Sequence, residues 1–122
     1  MIVAGFGFRA NAPINALLDA LSRAAKVHQP THLATPDDKA DTACVREISQ
    51  RLHLPVIPIT SSQLAAIETL TQSPTVFATR GVGSIAEACA LAAAGPGATL
   101  ASPRSISADR NATCAIALGA AT

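Results

Sequence analysis

Four basic side chains, Arg9, Lys39, Arg80 and Arg104, fall where this chain is rich in glycine, proline or polar residues. Arginine presents a planar fork that grips a carboxylate through two parallel hydrogen bonds, and lysine offers a compact positive charge. Arg9 follows Gly5-Phe6-Gly7-Phe8, and Arg80 precedes Gly81-Val82-Gly83-Ser84. Glycine lets a ligand come close to the backbone. The free N–H groups and positive dipole at a helix start suit an anion. Asp38 directly precedes Lys39, and Glu87 follows Arg80 in the same stretch. Either could act as a general base if its carboxyl faced a cleft. Taken together, Gly5, Gly7, Arg9, Asp38, Lys39, Arg80, Gly81, Gly83, Ser84 and Arg104 describe a site for a ligand carrying several carboxylates. A simpler reading stands beside it. Ser84 and Glu87 have the spacing of a helix capping box, the glycines turn the chain, and Asp38 with Lys39 is a solvated pair.

Other chemistries fit less well. Gly5, Gly7 and Ala10 form G-x-G-x-x-A after an apolar run, which resembles a dinucleotide fingerprint. Asn11 and Pro13 delay the helix start, however, and no acid ends the second strand. Ser84 lacks the glycine that a nucleophile elbow needs two positions later. His28, His32 and His53 share no metal spacing, and Cys44, Cys89 and Cys114 form no C-x-x-C pair. No metal or cofactor is expected, and the cysteines read as buried free thiols of a reducing cytoplasm.

The elements that must position these groups emerge from periodicity. Met1 to Phe6 reads as a strand ending in a glycine turn, and Asn11 as the cap of a helix reaching about residue 26. Ile14, Leu17, Leu18, Leu21, Ala24 and Ala25 make its apolar stripe. Residues 31–35 form a second strand, and Asp37 or Asp38 caps a helix to about Leu52. Pro55 to Ile59 is a strand whose prolines favour an edge. Thr60 and Gln63 start a further helix with a capping box, continued by Leu64, Ile67 and Leu70. Thr75 to Ala78 fits a strand or a turn of helix. Ser84 then opens an alanine-rich helix closed by Gly95 and Pro96. Ala98 to Ala101 is a strand, Ser102 to Asn111 a mobile polar loop, and Ala112 to Leu118 a strand buried on both faces. This alternation predicts an α/β fold: one three-layer domain over residues 1–122, with a mostly parallel or mixed sheet and helices on both faces.

Composition narrows the partners. Hydrophobic residues make up 49% and charged residues 14%, which describes a folded globular chain. Trp and Tyr are absent and the net charge is +1, so nucleic-acid binding by stacking or by bulk charge is not expected. No apolar run reaches the roughly 20 residues of a membrane span, and no secretory signal is evident. The expected compartment is the cytoplasm. An alanine-rich helix face together with Val76 and Phe77 is compatible with a homodimer.

In its ordered motifs the whole chain resembles the cobalamin-biosynthesis CobE family, equivalent to the C-terminal domain of CbiG. The resemblance is carried by Val3-Ala-Gly-Phe-Gly-Phe-Arg9 and Pro13-Ile-Asn-Ala-Leu-Leu-Asp-Ala-Leu21. It continues through Leu33-Ala-Thr-Pro-Asp-Asp-Lys-Ala-Asp41, Gly81-Val-Gly-Ser-Ile-Ala-Glu-Ala-Cys-Ala-Leu91 and Ala112-Thr-Cys-Ala-Ile-Ala117. Family positions map onto Gly5, Gly7, Asp38, Lys39, Ser84 and Glu87. Phe8 stands where the family often has cysteine, Asp37 replaces a hydrophobic residue, and Arg104 replaces lysine. The resemblance implies work on the modified tetrapyrrole that becomes the corrin ring of vitamin B12. The expected role is a carrier or accessory factor of the aerobic pathway that binds a precorrin or corrinoid. The alternatives are a hydrolase that opens the ring-A lactone of a precorrin, and a docking module for a pathway methyltransferase or another cobalamin-biosynthesis enzyme.

Overall fold

The computed structural model describes residues 1–67 and 84–120. One sheet runs through the middle, with strand order β3-β2-β1-β6-β4 and β5 also paired to β6. The strands are β1 (Ile2–Phe8), β2 (His32–Pro36), β3 (Val56–Ile59), β4 (Thr99–Leu100), β5 (Ser105–Ile106) and β6 (Ala112–Leu118). β1, β2 and β3 are parallel, and β6 runs antiparallel to β1, β4 and β5. The carboxyl ends of β1, β2 and β3 and the start of β6 therefore share one edge.

Helices α1 (Ile14–Ala25) and α2 (Ala43–Leu52) cover one face. Ala16, Leu17, Ala20, Leu21 and Ala24 of α1 pack with Ala4, Phe6, Leu33, Val45, Ile48, Cys114 and Ile116. Helices α3 (Ser61–Ala65) and α4 (Ile85–Ala94) cover the other, where Val3, Ala34, Ile59, Leu64, Ala88 and Cys89 form a second core. The three-layer α/β expectation is met. β6 is central and largely buried, as its mostly apolar sequence implies. Pro55 and Pro58 flank and interrupt β3 at the sheet edge, where a missing N–H costs little. The Thr60 capping box is present, with Thr60 Oγ1 accepting from Gln63 N at 3.2 Å and Thr60 N donating to Gln63 Oε1 at 2.9 Å.

Four local expectations are corrected. β1 does not turn at its glycines; it pairs with β6 from Ile2 to Phe8. The glycines instead admit α4: a Cβ on Gly5 would collide with the Ala86 carbonyl oxygen and lie 2.6 Å from Ala90 N. This removes the turn that a dinucleotide fingerprint needs. α1 begins at Ile14 with Pro13 at its cap position, so Asn11 caps nothing there. α2 begins after Thr42 and not at Asp37 or Asp38, because Lys39 N donates to Pro36 O and Thr42 N to Lys39 O in an intervening turn. Residues 102–111 are not a loose loop, since β5 pairs with β6 and side chains anchor the turn between them. Gly95 has the expected positive φ of 91°, with an extended ψ. Thr75 to Ala78, Leu70, Val76 and Phe77 lie outside the described residues.

Candidate functional site

Parallel α/β sheets bind ligands beyond the carboxyl ends of their strands, where the chain leaves the sheet and loops diverge. Here that edge collects Phe8, Arg9, Asp37, Asp38, Lys39 and the first turn of α4. Arg9 N donates to Asn111 O at 2.9 Å, which joins the exit of β1 to the entry of β6. Asp37 N donates to Ile59 O at 2.8 Å, joining the ends of β2 and β3. Lys39 Nζ donates to Phe8 O at 2.6 Å and stands 4.7 Å from the centre of the Phe8 ring. Phe8 thus serves as the platform for Lys39. Asp37 and Asp38 are exposed on the same edge, so its charge is mixed.

Ser84 is buried and caps α4, its Oγ accepting from Glu87 N at 3.4 Å. Glu87 is also fully buried, and its Oε2 accepts the Arg104 backbone N–H at 2.8 Å. Gly7 lies beside Ile85 at the start of α4, and its carbonyl accepts from Thr113 Oγ1 at 3.3 Å. Gly5 faces the α4 backbone, which occupies the space a ligand would need. Arg80, Gly81 and Gly83 lie outside the described residues.

Arg104 is not at the strand ends. It directly precedes Ser105, which pairs with Cys114, and Cys114 in turn pairs with Phe6. It therefore sits along the β6 edge, roughly 10 Å back from the Phe8 level at about 3.4 Å per residue. The basic groups form a line from the carboxyl edge down the β6 side, and not a closed rim.

Sequence reasoning passed over Arg110 as a site residue. It occupies the turn between β5 and β6 with a φ of 62°, a conformation usually left to glycine or asparagine. Asp109 builds this turn. Its Oδ1 accepts from Ser107 Oγ at 2.6 Å and from Asn111 N at 3.0 Å, and its Oδ2 from Asn111 Nδ2 at 3.2 Å. The Ser107 hydroxyl, helped by these Asn111 donors, holds the Asp109 carboxyl below the usual carboxylate range. Asp19 of α1 secures the same turn by accepting the Ala108 N–H at 2.7 Å. The Ala108 amide, then Arg23, holds its carboxyl below the ordinary value as well. A positive φ outside glycine was the missing signal, and it has no counterpart in the residue letters.

Pairing divides the described arginines into two groups. Arg23, Arg46 and Arg51 on α1 and α2 each meet a carboxylate, Asp19, Asp41 and Glu47 respectively. Among the described residues, the Arg9, Arg104 and Arg110 side chains enter no ion pair or hydrogen bond, and all three lie on the segments flanking β1, β5 and β6. Cys89 and Cys114 are buried outside any disulfide, and Cys44 is half-buried. No group of three His, Cys, Asp or Glu able to hold a metal occurs among the described residues. No described helix is long and apolar enough to cross a membrane.

The chain is a three-layer α/β domain, and comparison with known proteins shows its family. Residues 2–117 match the family model described as cobalamin synthesis G C-terminus, and the chain belongs to that family. A solved structure of CobE, a protein from the cobalamin (vitamin B12) biosynthetic pathway, is 30% identical, with a TM-score of 0.83 over 96% of this chain and 89% of that one. The cobalamin biosynthesis protein chiG from Agrobacterium tumefaciens is also 30% identical, with a TM-score of 0.77 over 99% of this chain and 100% of that one. A putative cobalamin biosynthesis protein G homolog from Sulfolobus solfataricus, 17% identical, has the same fold, with a TM-score of 0.69 over 95% of this chain and 36% of that one. No protein of curated function matches the sequence. The chain is a cobalamin-biosynthesis protein by family and by structure.

Proposed function

We propose that this protein binds a precorrin or corrinoid intermediate along the carboxyl edge and the β6 side, and acts as a carrier or accessory factor in the aerobic pathway. The observation that carries this reading is a pairing contrast among the described residues: Arg23, Arg46 and Arg51 each meet a carboxylate, while the Arg9, Arg104 and Arg110 side chains are left for an external anion. Corrin precursors bear acetate and propionate carboxylates around an apolar ring. Separated guanidinium groups suit such a ligand, each taking one carboxylate. Lys39, already donating to Phe8 O, would add charge at the edge.

Lactone hydrolysis is the second reading. It would use Asp38 or Glu87 as base, but Glu87 is shielded from solvent and its Oε2 already accepts a backbone N–H, which favours binding. The test is an anaerobic titration with hydrogenobyrinic acid and with earlier precorrins, monitored by the pigment's visible absorption. Saturable binding with an unchanged ring, weakened by R9E or R104E, is the expected result. A spectral change with release of a small fragment would establish the hydrolase. No binding, with retention of a pathway methyltransferase, would leave a docking module.

A further inference from the structure

The edge strand beside β6 is interrupted. Thr99 and Leu100 of β4 pair with Leu118 and Ala117, and Ala101 N still donates to Ile116 O at 2.9 Å. Pairing resumes only at Ser105, opposite Cys114. Between them, Ser102-Pro103-Arg104 leaves the ladder. A backbone N–H removed from its ladder and half-buried needs another acceptor, or it costs about 1–3 kcal/mol. The Arg104 N–H finds that acceptor 17 residues earlier in sequence, in the carboxyl of Glu87. Glu87 can supply it because α4 lies tightly on Gly5, with its first turn beside Gly7. An acid is also well placed in the first turn of a helix.

We infer that Glu87 is a positioning residue: it fixes the backbone of Arg104, and so the point from which that guanidinium reaches a ligand carboxylate. This rests on the proposed tetrapyrrole-binding reading and specifies how one arm of that site is held. Glu87 acts through Arg104 and does not touch the ligand. Arg104 belongs to the segment that leaves the ladder, and Glu87 keeps that segment in one place.

The test uses the full chain with hydrogenobyrinic acid as the probe. E87A should weaken binding about tenfold, as R104A does, in line with loss of one charge-assisted contact. The double variant should be no weaker than either single one. E87Q keeps an acceptor oxygen and should retain affinity to within about threefold. A purely structural role for Glu87 would instead make the two losses multiply, and a general base would make E87Q as damaging as E87A to any turnover. If E87A does not fold, amide hydrogen exchange of the unaltered protein decides. The Arg104 N–H should exchange at least about a hundredfold more slowly than an unprotected amide, and exchange at the unprotected rate overturns the inference. If R104A weakens binding and E87A does not, the inference alone falls. If R104A has no effect while R9E does, the inference falls together with Arg104's place in the site, and the binding reading survives.

Discussion

Replacing Gly5 with alanine tests whether the α4 contact positions the site. Gly5 has ordinary strand backbone, so the substitution adds no torsional strain, only one methyl group. That methyl would meet the Ala86 carbonyl oxygen, with Ala90 N at 2.6 Å and Ala90 Cβ at 2.9 Å. Real Cβ atoms do not come this close to backbone, so α4 must lift from the sheet by about half an ångström or more. Overpacking costs about 1–3 kcal/mol, and the upper end applies here because the obstacle is helix backbone and not a side chain that can rotate. For a domain of this size, about 3 kcal/mol corresponds to a fall in Tm of roughly 10 °C. Gly7 is the internal control. Its added Cβ would lie 3.0 Å from Thr113 Oγ1 and 3.2 Å from Ile85 Cβ, distances that require a shift of only a few tenths of an ångström, so G7A should cost about 1 kcal/mol. Far-ultraviolet circular dichroism is the assay, since the chain has no Trp or Tyr to report by fluorescence. A Tm for G5A within about 2 °C of the unaltered protein would refute the close-packing argument, as would a larger effect from G7A.

The remaining predictions use the thiols and the acidic turn. Burial pushes the Cys114 thiol well above its ordinary value, and Cys89 is likewise inaccessible. A thiol reagent should therefore modify only Cys44 in the native protein and all three cysteines in denaturant; fast native loss of a second thiol would contradict the packing. Asp19 and Asp109 both titrate below their ordinary 3.8 in the folded state. Groups lowered on folding contribute fully above that value, and the contribution is lost as pH falls through the folded values. The Ala108 and Asn111 amide resonances should consequently shift with a midpoint below pH 3.8, and a midpoint at or above it would show that the turn is not built as described.

How much of this was legible depends on the range over which each signal acts. The Thr60 capping box and the extent of β6 are local patterns that appear as read, while the α1 stripe shares Leu17, Leu21 and Ala24 with the buried face, which also takes in Ala16 and Ala20. Gly5 and Gly7 mislead because a turning glycine and a glycine that admits a helix are the same letter. The alternation of Ala4, Phe6 and Phe8 with Val3, Gly5 and Gly7 was the available clue that the strand continues. The polar run from Ser102 to Asn111 looks loose because its anchors, Glu87 and Asp19, are 17 and 89 residues away from the amides they hold. Arg104 lies along the β6 edge, apart from Arg9 and Lys39, because of strand register, which no local pattern states. Arg9 and Lys39 came out at the carboxyl edge because each directly succeeds a strand or its turn.

The antiparallel course of β6 beside β1 has a consequence for how this fold can be joined to others. Gly119 N donates to Met1 O at 2.8 Å, so the chain enters and leaves the domain at neighbouring points. Those points lie at the amino end of β1, about 20 Å along the strand from Phe8 and Arg9. A unit with such adjacent ends works as a cassette: it can be spliced into a host chain or joined behind another domain through one short seam. The carboxyl edge with Arg9 and Arg110 then still faces away from whatever the seam attaches.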